Sequence, residues 1–281
     1  MRPAESSPVA THHIDAGDDL RVHFSESGRG PPLLLLHGFT GSVESWGTLI
    51  PGLTPRFRVI AVDLPGHGHS SAPASPDRYA LTRFAADLVT ACDALGLSQV
   101  AVLGYSLGAR AALHFAARHP GRIASMVLVS ASPGIADARR RSERAAADER
   151  LAEELDREGI APFVARWESL PLWESQGALP PVTREALRNQ RLRNDAHGLA
   201  NSLRGAGQGA SAALDRELAA IACRVLLVAG ALDTPYVVLG TALARALPHA
   251  RLAVVAGAGH AVHLERPREL LHLVLDFLDS G

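Results

Sequence analysis

The sequence predicts an α/β protein with a mostly parallel central sheet, interrupted once by a helical insertion. Three observations carry that expectation. Short apolar, strand-like runs alternate with stretches of helical spacing towards both ends of the chain. Several runs, such as Leu33 to Leu36 and Val225 to Val228, are apolar at every position, as in strands buried on both faces. Between residues 132 and 215 the alternation stops, and helical stretches follow one another without a convincing strand. The expected organisation is a core in two parts, residues 1–131 and 216–281, with a helical cap over 132–215.

Residues 1–18 read as a loose leader, and Met1 to Gly17 holds no apolar core of signal-peptide length. Leu20 to Phe24 alternates apolar and polar and reads as a strand, broken by Gly28-Arg29-Gly30-Pro31-Pro32. Leu33 to Leu36 and Phe57 to Val62 are buried strands, the second running into the turn-rich loop Asp63 to Ser70. Leu81 to Leu95 carries helical spacing. Val100 to Leu103 and Ser125 to Val129 are further strands, with a helix from Leu107 between them. In the insertion, helices are expected over Ala138–Arg157, Pro162–Glu168 and Thr183–Arg193, with one more to follow. The rhythm resumes with a strand at Val225–Val228, a helix at Pro235–Leu247, a strand at Leu252–Val255 and a last helix at Pro267–Leu278.

Composition narrows the function classes. The chain has 281 residues, 47% hydrophobic and 20% charged, with a net charge of −1, which argues against general nucleic-acid binding. No apolar run approaches the roughly 20 residues of a membrane span. The two cysteines, Cys92 and Cys223, lie in apolar surroundings and read as reduced, buried thiols of a cytoplasmic protein. There is no lysine; every base other than histidine is arginine. Histidines 12, 13, 37, 67, 69 and 263 are read as turn or surface residues. His260 and His263 have no third metal ligand, and no metal or other cofactor is expected. The sequence assigns no oligomeric state.

The chemistry centres on Gly104-Tyr105-Ser106-Leu107-Gly108, placed between a strand and a helix. So abrupt a corner strains its central residue, and small residues two positions either side relieve the crowding. The serine hydroxyl is then presented at the strand's carboxyl end. Serine needs a histidine to take its proton, and the histidine needs an acid to fix its tautomer. Ser106, Asp233 and His260 all fall at carboxyl ends of predicted strands, which share one edge in a parallel sheet. Their order along the chain is that of the α/β-hydrolase fold. The backbone N–H groups of Phe39 and Leu107 are placed to converge on a developing oxyanion. Arg110, one helical turn beyond Ser106, suits a carboxylate clamp, although it can instead pair with a nearby carboxylate or reach solvent.

Gly104-Tyr105-Ser106-Leu107-Gly108-Ala109-Arg110 and Arg166-Trp167-Glu168-Ser169-Leu170-Pro171-Leu172-Trp173 closely resemble the MenH family. So do Arg191-Leu192-Arg193-Asn194, Gly198-Leu199-Ala200 and Ser202-Leu203-Arg204-Gly205. MenH proteins are 2-succinyl-6-hydroxy-2,4-cyclohexadiene-1-carboxylate synthases of menaquinone biosynthesis. The resemblance implies a lyase that eliminates pyruvate from a small polycarboxylate, 2-succinyl-5-enolpyruvyl-6-hydroxy-3-cyclohexene-1-carboxylate. It also implies Ser106, Asp233 and His260 as the catalytic set, Arg110 and Arg144 as carboxylate ligands, and Tyr105 and Trp167 as substrate-lining aromatics. Ala109 stands where a glycine is more usual, and Trp173 where a phenylalanine is common. Two other readings compete: a serine hydrolase of esters or carbon–carbon bonds working through an acyl-enzyme, and a non-catalytic binding member of the fold.

Overall fold

The structure, a computed structural model, describes residues 9–280. Eight strands form one sheet: β1 (Ala10–Asp15), β2 (Arg21–Ser27), β3 (Pro32–Leu36), β4 (Arg58–Val62), β5 (Val100–Tyr105), β6 (Ile123–Val129), β7 (Arg224–Gly230) and β8 (Ala250–Val255). Their order is β1-β2-β4-β3-β5-β6-β7-β8. The β1–β2 and β2–β4 pairs are antiparallel, and every pair from β4 to β8 is parallel. The helices are α1 (Ile50–Leu53), α2 (Leu81–Ala94), α3 (Leu107–Arg118), α4 (Ala138–Glu158), α5 (Ile160–Glu168), α6 (Pro181–Leu192), α7 (Ala196–Ala206), α8 (Thr234–Ala246), α9 (Val262–Glu265) and α10 (Pro267–Asp279).

The all-apolar strands are apolar because both faces are covered. Alternate residues of a strand point to opposite faces. Leu34, Leu36, Ile60, Val62 and Val102 enter one core with α2 and α3. Leu33, Leu35, Val59, Ala61 and Leu103 enter the other, which holds Trp46 and the inner face of α10. A polar residue at any of these positions would lie in a core, so neither parity of the pattern can be relaxed.

Four helices and two 3₁₀ stretches, Pro171–Ala178 and Leu218–Ala220, occupy the segment between β6 and β7. Ala152 and Leu155 of α4, Phe163 and Val164 of α5 and Leu199 and Leu203 of α7 close a third, small core. Neutral side chains latch this segment to the loops at the sheet edge. The Gln190 amide donates to Ser42 and Ser45 Oγ at 2.8 and 2.7 Å. Asn194 donates to the Thr40 carbonyl at 2.9 Å and accepts from Gly68 N–H at 3.0 Å. Asn201 donates to the carbonyls of Pro73 and Ala74, each at 3.1 Å.

Three expectations change. The described part of the supposed leader is strand β1, an edge strand whose side chains are mostly exposed. Its backbone ladder to β2 holds it, and a ladder leaves no apolar signature in a sequence reading Ala-Thr-His-His-Ile-Asp. Residues 1–8 lie outside the described part. Cys223 is half-buried, whereas Cys92 is buried as expected, and both are free thiols. His37, His67 and His263 are buried rather than turn or surface residues, at 0–1% exposure. His37 donates from Nδ1 to the Gly38 carbonyl at 2.7 Å and accepts the Leu64 N–H at Nε2, 3.0 Å away. A ring with one donor and one acceptor can satisfy two backbone groups of opposite kind, which a sequence does not reveal.

These buried rings make stability depend on pH. Burial pushes His67 and His263 down to about 3 and His114 down to about 4. Below about pH 6.5 the unfolded chain binds protons that the folded chain refuses. The stability is therefore complete above that pH and lost as the pH falls towards the folded values. Denaturant unfolding should lose about 2–3 kcal/mol per such histidine between pH 7 and 4.5. His114→Gln should flatten that slope, and an unchanged slope would show that its ring is protonated in the folded chain.

Candidate active site

The β5 strand ends at Tyr105 and α3 begins at Leu107, so Ser106 alone makes the corner, at φ 51° and ψ −108°. Such a backbone costs about 1–3 kcal/mol in a residue with a side chain. Ser106 is held there from both sides: its N–H donates to the Val129 carbonyl at 2.9 Å, and its carbonyl accepts the Arg110 N–H at 3.0 Å. The flanking glycines are required by close approach. A Cβ on Gly104 would lie 2.7 Å from the Gly108 carbonyl oxygen, and one on Gly108 would lie 1.9 Å from the carbonyl oxygen of Leu36. Ser106 does not cap α3 with its side chain. Its hydroxyl instead lies 3.1 Å from His260 Nε2.

His260 follows β8 and Asp233 follows β7, so the two reach the same sheet edge as Ser106. The Asp233 carboxylate is 2.7 Å from His260 Nδ1, and both residues are buried. Asp233 stands at the N-cap of α8 but makes no capping bond with its side chain. A carboxylate that accepts a hydrogen bond from Nδ1–H keeps the proton there and leaves Nε2 free to accept from the serine hydroxyl. Tyr236 sits edge-on to the His260 ring with centroids 4.5 Å apart, and Trp173 does so at 5.6 Å.

Two residues without a sequence signal fix the His260 loop. Glu265, in the short helix α9, accepts the N–H of Gly259 at 2.6 Å and that of Ala261 at 3.1 Å, and so clamps the backbone either side of the histidine. Ser130 Oγ donates to the carbonyl of His260 itself at 2.8 Å.

A cavity of about 270 Å³ opens beside Ser106 and His260. Phe39, Leu151, Trp167, Trp173 and Leu203 supply apolar walls, and Tyr105 and Leu107 complete the side towards β5. Among the described residues, the N–H groups of Phe39 and Leu107 donate to no backbone acceptor, so both are available as the expected pair of donors. The Phe39 ring meets Trp167 edge-on at 5.4 Å, joining the sheet side of the cavity to α5. The buried Nε1 of Trp167 has no hydrogen-bond partner.

Arg110 and Arg144 both line this cavity. Arg110 is 5% exposed and donates to the carbonyls of Ala206 at 2.7 Å and Gly207 at 3.0 Å. Neither alternative read from the sequence, a paired carboxylate or solvent, describes it. Burial pushes its guanidinium down to about 10, still charged at neutral pH. Two of its five N–H donors are used by those carbonyls. Arg144 donates from Nε to Asp148 at 2.8 Å. Several other arginines of the segment are engaged elsewhere: Arg166 with Glu154 and Glu158, Arg188 and Arg191 with Glu168, Arg193 with Glu44, and Arg204 with Glu149 and Asp156. Tyr236 and Gln208 also line the cavity. Tyr236 could have been found in the sequence as an aromatic in the first turn after Asp233; Gln208, in a loop of small residues, leaves no signal. Among the described residues, no group of three or more His, Cys, Asp or Glu is placed to hold a metal, and no helix is long and apolar enough to cross a membrane.

Residues 31–267 match the family model of the alpha/beta hydrolase fold. A putative 2-succinyl-6-hydroxy-2,4-cyclohexadiene-1-carboxylate synthase of Bacillus subtilis is 38% identical over 97% of this chain and 100% of its own length. The synthase of that name from Serratia proteamaculans is 30% identical over 88% of this chain and 93% of its own. The solved structure of MenH from S. aureus superposes with a TM-score of 0.88 at 31% identity, covering 92% of this chain and 98% of that one. The chain belongs to the MenH family.

Within that MenH-family frame, the clamp on the His260 loop gives a direct test. Glu265→Gln turns one acceptor oxygen into an amide donor facing a backbone N–H, leaving a buried donor unsatisfied at a cost of about 1–3 kcal/mol. Unfolding measurements should show that loss, with faster hydrogen exchange at Gly259 and Ala261. Unchanged exchange at both amides would show that the loop is held without the carboxylate.

Proposed function

We propose that this enzyme uses Ser106, His260 and Asp233 as a base rather than as an acyl-transfer triad. The enzyme eliminates pyruvate from 2-succinyl-5-enolpyruvyl-6-hydroxy-3-cyclohexene-1-carboxylate to give 2-succinyl-6-hydroxy-2,4-cyclohexadiene-1-carboxylate, a step of menaquinone biosynthesis. Its substrate is a small molecule bearing three carboxylates. The observation that carries the assignment of roles is Arg110: a buried cation one turn from Ser106, inside the cavity, whose hydrogen-bond partners are two neutral carbonyls. A buried charge that no carboxylate hydrogen-bonds is costly, and the nearby Asp148 is engaged by Arg144. An anionic substrate relieves that cost, and a neutral ester does not.

The proton to be removed sits on carbon, next to the succinyl ketone. His260 Nε2 takes the Ser106 hydroxyl proton, Asp233 stabilises the resulting imidazolium, and Ser106 Oγ takes the proton from carbon. The ketone oxygen gains the charge and is met by the N–H groups of Phe39 and Leu107. The electrons return through the ring double bond, which shifts, and the bond from ring carbon to the enolpyruvyl oxygen breaks. Pyruvate leaves as its enolate and takes up the proton the triad holds. Arg110 and Arg144 bind substrate carboxylates, and Tyr105 and Trp167 line the ring. Residues 132–215 form the cap over the site, between the two core parts 1–131 and 216–281, and no nucleic acid or membrane takes part. Two free cysteines fit a cytoplasmic enzyme.

Purified enzyme should release pyruvate from this substrate in an assay coupled to a lactate dehydrogenase. Ser106→Ala and His260→Ala should each lower the rate by orders of magnitude. Arg110→Lys should lower kcat/KM strongly with the fold intact, because an ammonium cannot make the guanidinium's two parallel bonds. Intact-mass spectra during turnover should show unmodified protein. A substrate-derived adduct on Ser106, or a burst of ester hydrolysis, would assign the site to an acyl-enzyme hydrolase.

A further inference from the structure

Three elements that line the cavity meet at the loop after α7. Arg110 of α3 holds the Gly207 carbonyl at 3.0 Å. The next residue, Gln208, donates from Nε2 to the hydroxyl of Tyr236 on α8 at 2.9 Å. Adjacent residues of the loop after α7 therefore tie a guanidinium and a phenol to the same wall of the cavity, and Arg144 of α4 lines it beside them. Two cations face this wall and one carboxylate, Asp148, is bound by them, through Arg144 alone.

The Tyr236 hydroxyl receives a hydrogen from Gln208, so its own proton is not consumed by that bond. Burial raises the phenol above its ordinary range despite the nearby Arg110 and Arg144, and it stays protonated at neutral pH. Next to two guanidinium groups, a fixed O–H donor fits an acceptor that carries negative charge. We propose that Tyr236, oriented by Gln208, is a substrate-binding residue whose hydroxyl donates to the carboxylate held by Arg110 and Arg144. The inference rests on the polycarboxylate reading above and adds a specificity-determining residue to it. It accounts for the Gln208–Tyr236 bond, which otherwise joins two polar groups at the wall of a largely apolar cavity.

Succinate serves as the probe, because its binding needs no turnover. Titration calorimetry should show succinate binding to the wild type, and about tenfold weaker binding to Tyr236→Phe, the loss expected for one hydrogen bond to a charged group. Phenylalanine keeps the ring against His260, so kcat for pyruvate release should stay within about threefold while KM rises by about the factor lost in succinate affinity. Gln208→Ala should shift both quantities in the same direction by less. No succinate binding to the wild type, or equal affinity in Tyr236→Phe, would overturn the proposal. A fall in kcat with KM and succinate affinity unchanged would also overturn it, by showing that the tyrosine acts through the His260 ring. If the wild type binds succinate through Tyr236 but releases no pyruvate from the cyclohexene substrate, the binding site stands and the assigned reaction falls.

Discussion

The contact between Gly108 and the end of β3 is the constraint on which the site depends. With no side chain at Gly108, the first turn of α3 lies directly against the Leu36 carbonyl, where even a methyl group would collide. That approach sets the distance between the Ser106 corner and the His37-Gly38-Phe39 loop, and Leu107 and Phe39, from the two sides of that contact, both line the cavity. Tyr105 completes the fit, since a Cβ on Gly38 would meet its ring at 2.7 Å. Two independent backbone donors thus take their positions from hard contacts between main chains, which relax less than contacts between flexible side chains. The strain at Ser106 is sustained by the same packing and by the hydrogen bonds to Val129 and Arg110.

Arg110 extends this arrangement from the core into the helical segment. It starts one turn from Ser106 and ends on the carbonyls that close α7. It sits near the positive end of α3, where a cation is disfavoured, so local helix energetics do not explain it. Its two carbonyl partners are acceptors at the negative end of another helix, which offsets part of that cost. The arginine therefore ties the placement of its own guanidinium in the cavity to the placement of α7 against the sheet edge.

Much of this was legible because it depends on pattern or on rigid turn chemistry. Strands buried on both faces announce themselves as unbroken apolar runs, and the elbow announces itself by its glycines. The order of Ser106, Asp233 and His260 at strand ends then follows from the alternation of elements. What stayed hidden depends on contacts between residues far apart in the chain. Glu265 looks like an ordinary helical glutamate until its carboxylate is seen spanning the amides on either side of His260. Gln208 and Tyr236 are 28 residues apart and meet only because α7 and α8 end at the same cavity. His37 and His67 sit beside glycines and prolines that favour loops, and the loops themselves are buried, while His263 lies in the short helix α9 and is buried with it. Strand β1 went unread because a ladder of backbone bonds needs no particular side chains.

The side-chain amides that latch the helical segment to the sheet edge carry a consequence for how the enzyme meets its solvent. Gln190, Asn194 and Asn201 make buried, neutral bonds, and the one charged bridge across that seam among the described residues, Arg193 to Glu44, is exposed and contributes little. Mobile ions screen charges and leave neutral hydrogen bonds nearly untouched. Ionic strength therefore screens the charge of the two arginines that line the cavity while leaving the latches of the helical segment nearly untouched. The two kinds of contact differ in chemistry: neutral amides bind the helical segment to the sheet edge, and guanidinium groups line the cavity.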